Sequence, residues 1–229
     1  MWNSVRKWIF YTVGILLLIP ALIIVSLRWV DPTHSAFILR HNLNVHLNSS
    51  GDLASHIWVD IENISPHMAV AVIAAEDQRF PNHIGIDFKE ISKALSDTDG
   101  EFRGASTITQ QTAKNLFLWP GRSYIRKGLE AGLALIMELF LSKQRILELY
   151  LNTAQTGKSS FGVAVPSKNV FNKSAGRLNR YEAARIAAVL PNPVKFSIEK
   201  PSAYVLKRQR WIMKQAGQLG GPKILSELY

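Results

Sequence analysis

The sequence predicts a mainly α-helical domain preceded by one membrane-spanning helix, and three observations carry that expectation. Between Lys7 and Arg28 lie twenty residues without a charge, WIFYTVGILLLIPALIIVSL. Downstream, apolar residues fall at Ile125, Leu129, Leu133, Ile136 and Phe140, spacings of three and four that mark a helix. Alternation of apolar and polar residues, the signature of a half-buried strand, is persuasive nowhere. The 229 residues suffice for one globular domain plus an appendage.

At about 1.5 Å per residue the charge-free stretch is roughly 30 Å long, matching the hydrocarbon core of a bilayer. Trp8, Tyr11 and Trp29 sit near its ends, where an aromatic belt places them, and Pro20 is tolerable inside a membrane helix. A cleaved signal peptide is the competing explanation, but the run is long for one and no small-x-small site follows Leu27. We expect a cytoplasmic tail at residues 1–7, an anchor at 8–30, a linker and start of the domain at 31–64, and the domain at 65–229. Arg6 and Lys7 ahead of the anchor favour a cytoplasmic N-terminus and an extracytoplasmic domain on a plasma membrane, although Arg28 and Arg40 behind it weaken that signal. The absence of cysteine excludes disulfides and thiolate chemistry. The net charge of +10, from 27 Lys and Arg against 17 Asp and Glu, suits an anionic partner. Outside the cytoplasm a nucleic acid is excluded on location, which leaves lipid headgroups and phosphate-bearing substrates.

Residues 31–64 mix Pro, His, Asn, Ser and Gly with short apolar pieces and read as a linker leading into a short extended segment. Ser65 and Pro66 are an N-cap and first helical position for the apolar run Met68–Ala75, which ends at Glu76 and Asp77. Phe88 to Leu95 reads as a short helix running into a polar turn, Ser96-Asp97-Thr98-Asp99-Gly100. Ser106 is placed to cap a helix whose first turn holds Ile108, Thr109 and Gln110. Ser123 to Leu151 carries the strongest helical signal, broken where Ser142 caps a second helix with Ile146, Leu149 and Tyr150. Thr153 to Gly176 reads as irregular. Asn179 with Glu182 forms a capping box for a helix through Val189, which Pro191 and Pro193 end. A last amphipathic helix surrounds Tyr204, Leu206 and Trp211, before a Gly-Gly break and a tail.

Glu76 is the first candidate for chemistry. It sits at the negative pole of an apolar helix, where lost water and nearby carbonyls disfavour its charge and raise its pKa toward the range of a general base. A solvated acidic helix end fits the same few residues. Asp77, Phe80, His83, Gly85 and Asp87 crowd the following turn, where polar groups can converge. The stretch GASTITQQTAKN packs hydrogen-bonding side chains as sugar or phosphate recognition demands, or as a solvated face would. Arg126, Lys127 and Glu130 are helical neighbours, which suits either a surface ion pair or two cations holding a phosphate beside a carboxylate.

Five segments together, EDQRFPNHIGID, GASTITQQTAKN, RKGLE, KQRILELYLN and AAVLPNP, resemble in order the motifs of peptidoglycan glycosyltransferases. That lysozyme-like family includes the class A penicillin-binding proteins. With one domain, the chain is similar to the monofunctional biosynthetic transglycosylases. The resemblance spans Glu76 to Pro193 and implies a lysozyme-like α-helical lobe with a smaller membrane-proximal one. It implies polymerisation of lipid II into glycan strands with release of undecaprenyl pyrophosphate. It makes Glu76 the base toward the acceptor hydroxyl, and Glu130 the group that assists departure of the pyrophosphate or positions it. Lys114, Arg126 and Lys127 match phosphate-contacting cations; Ser106, Thr107, Gln110, Gln111 and Asn115 match the polar cleft lining. Asp77, Phe80, His83 and Asn152 join the substrate-binding set. The implied cofactor is a divalent cation, Mg2+ or Mn2+, with no organic cofactor. The implied partners are lipid II, the growing strand, the membrane and proteins of cell division or elongation. After YLN the sequence departs from the family pattern, with Thr156 where an aromatic is common and Val165-Pro166 where alanines are, which puts the acceptor side in doubt. The alternatives are a scaffold with little turnover, which the retained glutamates and cations disfavour, and a lysozyme-like hydrolase, which would also use a lone glutamate but which the basic cluster and the anchor disfavour.

Overall fold

One helix is apolar on every side, and the rest of the chain wraps it. It follows α1 (Ala36–Asn48) and the two-residue strand β1 (Ser55–His56), and as α2 it spans Pro66–Glu76. The computed structural model describes residues 6, 8, 11, 18–96, 106–121 and 123–228. Ser65 caps α2 by accepting from the His67 amide, and Pro66 occupies the first turn, where its missing N–H costs nothing. Met68 through Ala74 are all buried, so each of the larger side chains contributes about 1.5–3 kcal/mol of transfer free energy. Two later helices, α8 (Arg180–Val189) and α9 (Ala203–Gln218), pack on α2, and a 3-10 segment at Gly221–Leu228 closes over it.

A second group stands beside the first. It comprises α4 (Ile108–Phe117), α5 (Tyr124–Phe140) and α6 (Lys143–Thr153), with α1 against α4. The chain also forms α3 (Phe88–Ser96), α7 (Ala164–Phe171) and strand β2 (Ser160–Phe161), which pairs in parallel with β1 and packs with it against α7. The mainly helical expectation holds, as do the caps at Ser65, Ser142 and Asn179, and Ser123 proves to cap α5 as well.

Several local expectations are corrected. Residues 31–64 are not all linker: Ser35 accepts from the Ile38 amide and starts the thirteen-residue α1. Residues 153–176 are not wholly irregular, because α7 forms there, with Pro166 in its first turn, where no amide bond is forfeited. Ser106 is not the cap of α4. Thr107 is, in a capping box with Gln110. The apolar stripe of α5 is divided, with Leu133 and Ile136 packed against the core and Ile125 exposed at 77%, while Arg126, Glu130, Ala134 and Met137 are the fully inward positions. Of the expected polar turn, residues 97–100 lie outside the described residues.

Residues 18–26 are helical, and among the described residues no helix is long and apolar enough to cross a membrane. The expected anchor lies partly outside the described residues. Its downstream end is packed on the domain: Ile24 and Leu27 belong to the core. Arg145 of α6 donates to the Leu27 carbonyl (2.7 Å), the Val30 carbonyl (3.1 Å) and Asp31 (2.7 Å), and it also pairs with Glu148. Trp58 lies 5.4 Å beneath its guanidinium. The helix-end carbonyls are thereby given a cation, the arrangement the helix dipole favours.

Candidate active site

The C-terminus of α2 delivers Glu76 between the two helical groups. Its side chain is 12% exposed. Gln111 of α4 donates to Oε2 at 3.0 Å, and Arg208 of α9 donates to Oε1 at 3.2 Å. Arg208 also donates to the Ala75 carbonyl, and Gln78 to the Ala74 carbonyl, so the open end of α2 is capped from the side. Burial raises the Glu76 pKa, and the Gln111 and Arg208 contacts only partly oppose it. Tyr150 donates to the Gln111 carbonyl oxygen at 3.3 Å, which turns the Gln111 amine toward Glu76.

Glu130 lies on the inward face of α5 and is 3% exposed. Arg126 donates to Oε2 and Lys127 to Oε1, each at 2.7 Å. This is no surface ion pair: Arg126 is itself buried, and its Nε has no partner among the described residues. Lys127 continues to Ser106 (2.9 Å) and Gln110 (3.4 Å), which ties the first turn of α5 to the start of α4. Lys114, one turn along α4, is half-buried. Desolvation lowers its pKa, Arg126 and Lys127 push the same way, and Glu130 and Glu76 pull against them. The site therefore holds two carboxylates and a concentration of cations in a region with little water, where electrostatic stabilisation is strong.

Other expected site residues hold the walls. Asp77 is buried, accepts from the Ile108 amide at 2.9 Å and meets His83 Nε2 at 2.9 Å. Its charge faces the N-terminus of α4, the favourable pole. Phe80 is fully buried, with Lys143 over its ring at 4.5 Å, so it cannot touch a substrate. Asn152 is also fully buried, and it bonds the Val59 amide, the Val59 carbonyl and the Glu148 carbonyl. Its substrate-binding assignment is corrected to a staple between α6 and the strand region, because its polar atoms are spent. Thr107 is nearly as buried and donates to the Gly85 carbonyl at 2.6 Å. Gly85 has φ +70°, and a Cβ there would stand 3.1 Å from the Ala134 carbonyl, so the turn needs glycine. Asn115 is buried on α4. Thr156, where an aromatic was expected, is buried and bonds Ser160 and the Gly162 carbonyl within the turn.

Two participants escaped the sequence. Arg208 lies 132 residues from Glu76, and nothing in the local pattern of α9 distinguishes it from Lys207 or Arg210. Phe37 of α1 places its ring 5.6 Å from the Lys114 ammonium; it belongs to the stretch that reads as linker. For a divalent cation the donors do not fit. Among the described residues no three His, Asp or Glu side chains converge on one point, and both oxygens of Glu130 already face cations. No step below runs through a metal.

The family model described as Transglycosylase matches residues 44–217, which take in both glutamates and Arg208. The chain belongs to this transglycosylase family. A biosynthetic peptidoglycan transglycosylase of Pseudomonas putida is 48% identical over 208 residues, covering 90% of this chain and 88% of the relative. One from Pseudomonas entomophila is 47% identical over the same span, with the same coverage. One from Escherichia coli is 50% identical over 197 residues, covering 84% of this chain and 81% of the relative. These relatives are matched over most of their own length as well as most of this chain.

Proposed function

We propose that this transglycosylase polymerises peptidoglycan glycan strands for cell-wall synthesis, using membrane-borne lipid II and releasing undecaprenyl pyrophosphate. The observation that carries the reading is a pair of buried glutamates in opposite surroundings: Glu76 with a raised pKa, Glu130 clamped by two cations. In the transfer, Glu76 takes the proton from the acceptor sugar hydroxyl as its oxygen attacks the anomeric carbon. The bond to the pyrophosphate breaks, and the developing phosphate charge is met by Lys114, Arg126 and Lys127. Glu130 keeps the last two in place. A divalent ion, if used, would arrive on the pyrophosphate oxygens, the manner in which Mg2+ usually binds.

The membrane placement belongs to the same proposal. The charge-free N-terminal stretch supports it, and so does the outward face of α5, where Tyr124, Ile125 and Leu139 are each at least 75% exposed. A solvated face seldom gathers such residues, whereas a lipid surface accepts them. The test uses full-length protein and fluorescent lipid II. Polymer should form in the wild type and be absent in Glu76→Gln, and moenomycin should suppress it. Failure of the wild type to polymerise would overturn the reading. Because the chain has no cysteine, Lys200→Cys gives one reporter; labelling of intact cells by an impermeant maleimide is expected if the domain is extracytoplasmic.

A further inference from the structure

The cations of the site differ in what they already hold. Arg126 and Lys127 are committed to Glu130 at 2.7 Å each, and Arg208 to Glu76 at 3.2 Å. Lys114 makes no hydrogen bond or ion pair among the described residues, although both glutamates act on it. Its one recorded partner is the Phe37 ring, 5.6 Å from the ammonium to the ring centre. An ammonium removed from water without an acceptor is costly, and the face of an aromatic ring offsets part of that cost without neutralising the charge. A carboxylate in the same place would have to be displaced by an incoming anion. A ring would not.

We propose that Phe37 is a positioning residue of the active site: its ring holds the Lys114 ammonium ready, uncommitted to either glutamate, for the anionic group of the substrate. This rests on the reading that the substrate carries a pyrophosphate. It makes α1, rather than a tether leading to the domain, one wall of the site. Ile38, beside Phe37, is 2% exposed and fixes the helix, while Phe37 itself is only half-buried and faces Lys114. The contact is therefore not simply core packing, since the helix has its own buried anchor.

The test compares Phe37→Leu, which keeps apolar bulk and loses the π face, with Phe37→Tyr, which keeps both. Three quantities are measured on full-length protein in detergent: inorganic pyrophosphate affinity, KM and kcat for lipid II, and the NMR shift of the Lys114 ε-methylene, assigned with Lys114→Arg. Phe37→Leu should weaken pyrophosphate binding and raise KM about three- to tenfold, with kcat changed less than about twofold. The ring-current shift of Lys114 should vanish with it, and Phe37→Tyr should restore all three. A lower melting temperature with unchanged pyrophosphate affinity and KM would make Phe37 a packing residue and overturn the proposal. A wild type that neither binds pyrophosphate nor polymerises would instead remove the functional reading, and this inference with it.

Discussion

Glu76 and Glu130 are the same side chain with different partners. The first closes an apolar helix, with one amide and one arginine at 3.0 and 3.2 Å, and burial raises its pKa. The second sits in the first half of a helix whose own Arg126 and Lys127 reach back to it at 2.7 Å. Both are largely buried, so burial alone does not set their roles. What differs is whether the desolvated carboxylate is given enough positive charge to spend its acceptors. The under-compensated one is left able to take a proton; the other holds two cations where they are needed.

The largest effect tests the first half of that contrast. Glu76→Gln should reduce polymerisation about 10²- to 10⁴-fold, the usual worth of a positioned base, while circular dichroism and expression stay near wild type. Retained rate would move the base elsewhere. Glu130→Gln tests the second half: it strands a buried Arg126 and a Lys127 that is 44% exposed. A loss of about 2–4 kcal/mol is expected, below the full cost of breaking a buried pair because Lys127 is solvated. It would appear as a melting temperature lower by roughly 5–10 °C, together with lost activity. If Glu130→Gln proved as stable as Glu76→Gln, the contrast drawn here would be broken.

A smaller change sharpens it. Arg208→Ala removes the cation that opposes the raised Glu76 pKa. A base works ionised, so kcat/KM climbs as pH rises through the Glu76 pKa, and the acid limb of the profile should move to higher pH in this variant. The stability sign runs the other way. The folded state holds the Glu76 proton more tightly than the unfolded chain, so unfolding free energy falls as pH rises between the two pKa values; Glu76→Gln should flatten that dependence. Least affected is Tyr150→Phe. Burial, and then the charge of Glu76, hold the Tyr150 hydroxyl protonated, so it only donates, across 3.3 Å, to Gln111. Its loss should cost about 0.5 kcal/mol and change the rate less than about threefold.

Both carboxylates were legible in the sequence, because an apolar run ending in Glu and an i, i+4 Arg–Glu spacing are local patterns. So were the caps at Ser65, Ser142 and Asn179, which involve residues two or three positions apart, whereas at α4 the cap is Thr107 and not its neighbour Ser106. Arg208 and Phe37 were not, since their partners lie 132 and 77 residues away and no local period records such a meeting. The stripe on α5 marked the helix correctly, but period does not say which side is the core, and of its members only Leu133 and Ile136 pack inward. Buried Arg126 and Glu130 reverse the usual assignment because each neutralises the other. Phe80 and Asn152 sit inside matched motifs yet face the interior, which only the packing reveals.

The clasp of Arg145 on Leu27, Val30 and Asp31 bears on the whole molecule's mechanics. A chain that enters its domain through an unsecured linker swings like a buoy on a rope. Here the entering helix is bolted to α6, the same helix whose Tyr150 aligns Gln111 with Glu76. Under the membrane placement proposed above, the domain stands like a lamp on a fixed post, its cleft at constant height and heading. Each arriving headgroup then meets the same geometry, and no orientational search is repeated between one sugar addition and the next.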